Sequence, residues 1–156
     1  MRNQTYPTVK QYQEALNLIQ SSVEGEKADA MFYEWLINNI PAKNLLPSEV
    51  QNIKDTIESI RNDELGHNVT YKNMYRQLAQ KEPEVKEEKF IPPANFLEGI
   101  QKALYGELNA VKKYRTIMAG LPGNYYRDQV FNILTDELRH ANLYNYINST
   151  VLNAYQ

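Results

Sequence analysis

The stretches Asp63-Glu64-Leu65-Gly66-His67 and Asp136-Glu137-Leu138-Arg139-His140 decide how the rest of the chain reads. Each contains Glu-x-x-His. On a helix, residues i and i+3 share a face, so one carboxylate and one imidazole can bind the same metal ion. The two histidines are the only ones in the chain, and each follows the same Asp-Glu-Leu. One Glu-x-x-His is a weak signal; two in matching contexts are a specific one. Both lie within apolar stripes: Val50, Ile53, Ile57, Ile60, Glu64, His67, Tyr71, Met74, Leu78, and Tyr126, Val130, Ile133, Glu137, His140, Tyr144, Ile147, Val151. Steps of mostly three and four residues are the period of a helix facing a bundle.

Two further stripes of the same period precede these. From about Thr8 to Ile40 the seam reads Val9, Tyr12, Leu16, Ile19, Val23, Glu26, Ala30, Tyr33, Ile37, Ile40. From about Asn95 it reads Leu97, Ile100, Leu104, Glu107, Val111, Tyr114, Met118, Leu121, ending at Leu121-Pro122-Gly123. Nothing reads as a strand. The expected fold is all-α, an antiparallel four-helix bundle in one domain over residues 1–156. Each seam is apolar except at its middle, where glutamate or Glu-x-x-His stands. Charge in a core is costly unless it is paired or bound to a metal.

The chain also repeats itself. Ile19-Gln20, Gly25-Glu26 and Tyr33 recur 81 residues later as Ile100-Gln101, Gly106-Glu107 and Tyr114. Asp55, Ile60, Asp63-Glu64-Leu65, His67 and Tyr71 recur 73 residues later as Asp128, Ile133, Asp136-Glu137-Leu138, His140 and Tyr144. Two helical hairpins are therefore expected, about 8–80 and 95–154. The first is eight residues longer between its ligands, which about one extra turn on each of its helices would absorb. Residues 81–94 are charged and proline-bounded and read as an extended linker. A dozen extended residues reach roughly 40 Å, close to the roughly 39 Å needed to run the bundle's length. The linker can cross over within one chain or hand the second hairpin to a neighbour in a helix-swapped homodimer.

Composition narrows the chemistry. A net charge of −2 argues against a nucleic-acid surface built on a basic field. With no cysteine, disulfides, thiolate zinc sites, cysteine nucleophiles and cysteine-ligated iron–sulfur clusters are excluded. Any metal must be held by oxygen and imidazole nitrogen. No stretch approaches a membrane span, and Met1-Arg2-Asn3-Gln4-Thr5-Tyr6-Pro7 lacks a signal peptide's apolar run; a cytoplasmic location is expected. Twelve tyrosines against four phenylalanines suit core edges where a ring packs and its hydroxyl reaches water.

Glu26, Glu64, His67, Glu107, Glu137 and His140 are the expected metal ligands. Four carboxylates balance the charge of two divalent ions, which makes a buried cluster tolerable. Asp63 and Asp136 are placed to accept the free ring N–H of a ligand histidine. By the repeat's pseudo-symmetry, Asp63 serves His140 and Asp136 serves His67. Tyr33 and Tyr114 lie two turns past Glu26 and Glu107; they either hydrogen-bond ligand carboxylates, carry an electron or pack the core. Carboxylate with imidazole suits iron first, then manganese, with zinc an adventitious occupant.

At these residues the chain resembles the rubrerythrin di-iron domain of the ferritin-like superfamily, whose bundles draw one glutamate from each of two helices and Glu-x-x-His from each of the others. The resemblance covers nearly the whole chain. It implies a ferritin-like bundle with one long crossover and the six ligands above, and makes Tyr33 and Tyr114 hydrogen-bond donors beside the metals. It implies reduction of hydrogen peroxide, or oxidation of Fe(II) by O2 or peroxide. Two departures stand out. Rubrerythrins carry a further glutamate one turn after the third-helix ligand, where this chain has Ala110. The cysteine-ligated rubredoxin segment is absent, so electrons must come from a separate donor protein. The alternatives are iron storage without turnover, and hydroxylation of an organic substrate. Hydroxylation needs a pocket reaching the metals, and a seam crowded with tyrosine and isoleucine speaks against one.

Overall fold

The computed structural model describes residues 6–23, 26–86 and 89–155, the side chains of residues 26 and 27 excepted. Among these residues the chain is all-helical: α1 Val9–Ser21, α2 Glu26–Asn38, α3 Pro47–Ala79, α4 Phe96–Gly120 and α5 Asn124–Asn153, with a 3-10 turn at Ala42–Asn44. Local chemistry sets the boundaries. Thr8 opens α1 with reciprocal bonds: its Oγ1 accepts from Gln11 N at 3.2 Å, and Gln11 Oε1 accepts from Thr8 N at 2.8 Å. Pro47 stands in the first turn of α3, and Glu49 Oε2 accepts the N–H of Leu46 at 2.8 Å. Asn95 caps α4 by accepting from Glu98 N at 2.9 Å. Gln80, left-handed at φ 55°, closes α3.

The first seam departs from the expected single helix. Ser21 Oγ and Ser22 Oγ both donate to the carbonyl of Leu18, at 2.9 and 2.8 Å, and Ser22 N turns back to Ile19 O. Such hydroxyls compete with the helical ladder, and α1 stops there. The helix resuming at Glu26 ends at Asn38, before the expected Ile40. Val9 and Ala30, placed on the seam by period, are exposed.

The eight extra residues of the first half are also distributed differently. α3 carries one extra turn before Glu64, but α2 is no longer than the matching part of α4; the remainder forms the 39–46 connection with its 3-10 turn, against only 121–123 between α4 and α5.

Contacts fix the directions. Tyr12 Oη donates to Leu78 O at 3.2 Å, so α1 runs opposite to α3. Gly120 approaches the Gln11 backbone, and Gly99 the Trp35 and Leu36 side chains, so α1 and α2 run opposite to α4. α5 opposes α3, pairing residue 67 with 136 and 63 with 140. Consequently α3 and α4 are parallel, and the helix-free segment between them travels from one end of the molecule to the other. At Gly120 a Cβ would overlap the Gln11 carbonyl oxygen, so only glycine permits this approach.

Two apolar cores fill the interior. One gathers Ile19, Tyr71, Met74, Ile117, Val130 and Ile133; the other gathers Leu36, Ile53, Ile57, Ile60, Ile100, Ile147 and their neighbours. Along each helix the candidate ligands fall between the residues of these two cores, so a polar layer divides the apolar interior.

Candidate metal centre

α3, α4 and α5 each present acids to that layer. Glu107 is 8% exposed, Glu137 1%, His67 8% and His140 0%. Glu64, Glu107, Glu137 and His140 each offer a ligand atom, all within 4.8 Å of one another, and this group can hold a metal ion. His67 joins from the other side, its Nδ1 3.2 Å from Glu137 Oε1 and 3.4 Å from Glu64 Oε1. His140 Nδ1 lies 2.9 Å from Glu64 Oε1 and 3.9 Å from Glu107 Oε1. Glu64 Oε1 thus lies between the two imidazoles. The side chain of Glu26, the remaining expected ligand, lies outside the described residues.

The far edges of both rings are also held. His67 Nε2 is 3.2 Å from Asp136 Oδ2, and His140 Nε2 is 3.1 Å from Asp63 Oδ2. This is the crossed pairing that the repeat's symmetry implies. An aspartate at Nε2 holds the ring proton there and leaves the Nδ1 lone pair facing the carboxylates.

Arg139, a residue the sequence reading passed over, breaks the symmetry. Its Nη2 donates to Asp63 Oδ2 at 2.5 Å, and its Nε lies 3.7 Å from Asp136 Oδ1. One guanidinium therefore touches the partners of both histidines. The equivalent position of the first motif is Gly66. The only sequence signal was that mismatch within an otherwise repeated pentapeptide.

The inward atoms provide a test of fit. Glu64 Oε1, Glu137 Oε1, His67 Nδ1 and His140 Nδ1 are buried and make no aligned hydrogen bond among the described residues, although they stand close together. Buried polar atoms in proteins are ordinarily partnered. Carboxylate oxygens and imidazole nitrogens converging on one volume without hydrogen bonds among themselves are what a cation requires. Oxygen with imidazole suits iron, manganese or zinc.

Without a cation the charges rearrange. Burial alone would lower the histidine pKa values, yet the carboxylates outweigh it and push both His67 and His140 up to about 10. Burial pushes the Glu137 carboxyl up, with Glu107 and Glu64 adding to it. Glu64 goes the other way: burial opposes its ionisation, but the two imidazoles hold it well below the usual carboxylate range. Repulsion among the clustered acids is therefore relieved in part by imidazolium. Tyr33 and Tyr144 are raised well above the ordinary phenol value by burial first, with Tyr144 and then the carboxylates adding to it at Tyr33 and Glu107 at Tyr144, and they stay neutral. Tyr114 packs its ring on Tyr71, centroids 5.2 Å apart.

The crowding expected beside the ligands is not what the structure contains. A cavity of about 470 Å³ opens between α2, α4 and residues 89–91, with Glu64, Glu107 and Glu137 on its wall beside Tyr33, Tyr114 and Tyr144. Small residues of α4, Ala103, Gly106 and Ala110, make the room. Ala110, where rubrerythrins are expected to carry a further glutamate, is part of that wall. Among the described residues, no helix is long and apolar enough to cross a membrane. Comparison with protein-family models, with curated proteins and with solved structures finds no match.

Proposed function

We propose that this chain is a ferritin-like di-metal carboxylate protein of rubrerythrin type, a four-helix bundle with α1 and α2 together as its first helix. Its reaction is the reduction of hydrogen peroxide, or oxidation of Fe(II) by O2 or peroxide. The observation that carries this reading is the convergence of Glu64, Glu107, Glu137 and both His Nδ1 atoms in one buried layer, each imidazole backed by an aspartate. Glu26, at the start of α2, completes the ligand set by the sequence repeat.

When bound, an iron pair would supply two electrons at one place, enough to reduce one peroxide to two waters with two protons. The chain's own residues do the rest. Asp63 and Asp136 fix the ring tautomers. Tyr33 and Tyr144, kept neutral, are hydrogen-bond donors at the cavity wall. The apolar cores on either side exclude bulk water, and low dielectric strengthens the electrostatics of the layer. Re-reduction by an electron-donor protein completes the cycle.

The cavity favours a second reading, oxidation of a small organic substrate at the same centre. Two measurements separate them. Metal analysis of protein purified without added metal should give two ions per chain, iron foremost. Reduced iron-loaded protein should then consume peroxide repeatedly when an artificial reductant is supplied. One ion per chain with both Glu-x-x-His motifs intact would overturn the di-metal reading. Two ions with Fe(II) left unoxidised by peroxide or O2 would overturn the redox reading.

A further inference from the structure

The cavity beside the carboxylates is larger than peroxide or O2 needs. Ligand pockets run from about 300 to 1,000 Å³, and at about 470 Å³ this one falls in that range. The buried Tyr144 hydroxyl, without a hydrogen-bond partner among the described residues, belongs to a residue lining it. A Cβ built on Gly106 would meet nothing within 4 Å, so this helical face borders open space. The mouth is basic and apolar together. Lys89 and Lys102 line it, neither with an ion-pair partner among the described residues, and Phe32, Phe90 and Ile91 supply apolar wall. Among the described residues, Asp29 is the one acid in the lining apart from the glutamates of the metal layer.

From this arrangement we propose that the cavity binds a small aliphatic monocarboxylate, its anionic head at Lys89 and Lys102 and its chain against Phe32, Phe90 and Ile91. The proposal rests on the di-metal reading, because bare carboxylates at the inner wall would repel an anion. Two divalent ions cancel four carboxylate charges and leave the lysines to set the sign of the field. Binding should therefore depend on metal. A partly desolvated head group explains the lysines, and a chain of several methylenes explains the apolar wall, since each buried methylene strengthens binding about fourfold.

The test uses the full chain loaded with zinc, which supports no redox chemistry, and isothermal titration with butyrate, hexanoate and octanoate. Affinity should rise along the series and fall at least tenfold for octanoate when the metal is withheld. Lys102→Gln should weaken octanoate about fivefold, the size of an exposed charge contact. Gly106→Leu, which fills the cavity from a helix position with free space, should abolish octanoate binding while zinc content stays at two per chain. Ala110→Leu gives the same reading from the next turn. Failure of zinc to load at two per chain would sink the di-metal reading itself. Zinc-loaded protein that holds two ions but ignores all three carboxylates, or binds octanoate equally well with Gly106→Leu, overturns the cavity proposal alone.

Discussion

The two hairpins repeat the same spaced residues and build different helices from them. Ile100-Gln101, Gly106-Glu107 and Tyr114 lie along one unbroken rod, α4. Of the matching residues in the first half, Ile19-Gln20 lie on α1 and Glu26 and Tyr33 on α2. The difference lies in the residues between. The second half has Lys102-Ala103-Leu104-Tyr105, mostly good helix formers, while the first has Ser21-Ser22-Val23-Glu24. The serine hydroxyls bond back to Leu18 and end the helix. Glycine is not the deciding residue, because α4 carries Gly106 without a break. The second half is also the more sealed at the site, with Glu137 and His140 more deeply buried than Glu64 and His67. It alone carries the arginine that ties the aspartates together.

Removing ligands should expose this asymmetry most strongly. His140→Ala and Glu107→Ala should each cost at least about a hundredfold in metal affinity, beyond the range typical of outer partners. His67→Ala, at the less sealed end, should cost less. Competition titration against a chelator reads all three; equal losses for both histidines would mean that the sealing does not matter.

Next in size is the pH dependence of the metal-free protein. Both histidines are held at about 10, against an ordinary 6.5. A group bound to its proton more tightly in the folded state stabilises fully below the unfolded pKa and loses that contribution as pH rises through the folded one. The raised Glu137 acts in the same sense, from its ordinary carboxylate value upward. Metal-free protein should therefore lose roughly 5 °C or more of melting temperature between pH 6.5 and 10. His67→Gln should flatten the slope. A melting temperature constant across that window would mean the imidazoles do not pair with the acids.

The glycines of α4 offer an opposed pair. Gly120→Ala should destabilise by about 1–3 kcal/mol, because α1 must back away. Gly106→Ala should stabilise by up to about 1 kcal/mol through helix propensity, since its Cβ meets nothing. Urea unfolding of both variants checks the sign.

Arg139→Gln should lower metal affinity about tenfold, within the range for residues that orient ligands. Because Arg139 reaches both aspartates, the loss should extend to both ions of the proposed pair; a loss confined to one would show that its 3.7 Å approach to Asp136 carries no weight. The smallest effect belongs to the break itself. Ser21→Ala with Ser22→Ala removes both competing hydroxyls and should add helical ellipticity and up to about 1 kcal/mol of stability. No change in ellipticity would mean that these hydroxyls do not end α1.

Reading the chain alone went furthest where a regular period met an improbable residue. The limits of α3, α4 and α5 follow from capping residues, proline and glycine, whose effects are local. The buried positions of Glu107, Glu137 and His140 follow from the seam, because a 3.5-residue period admits few other phasings. The crossed contacts of Asp63 with His140 and Asp136 with His67 are the pairing that the internal repeat implies.

Other features depend on neighbours distant in sequence. Whether Ser21-Ser22 interrupts a helix is a close competition between weak local bonds, and periodicity does not register it. The bridging by Arg139 needs α3 and α5 side by side. The room around Gly106 and Ala110 is invisible in a stripe of residues, because a cavity is a property of the space between helices. Its far wall, Lys89-Phe90-Ile91, belongs to a segment that reads from sequence only as a connector. What the chain determined by itself was that His67, Glu107, Glu137 and His140 enter the core. What tertiary structure decided was how closely they converge and how much space lies beside them, because both depend on the separation of helices and on side-chain volumes summed across three of them.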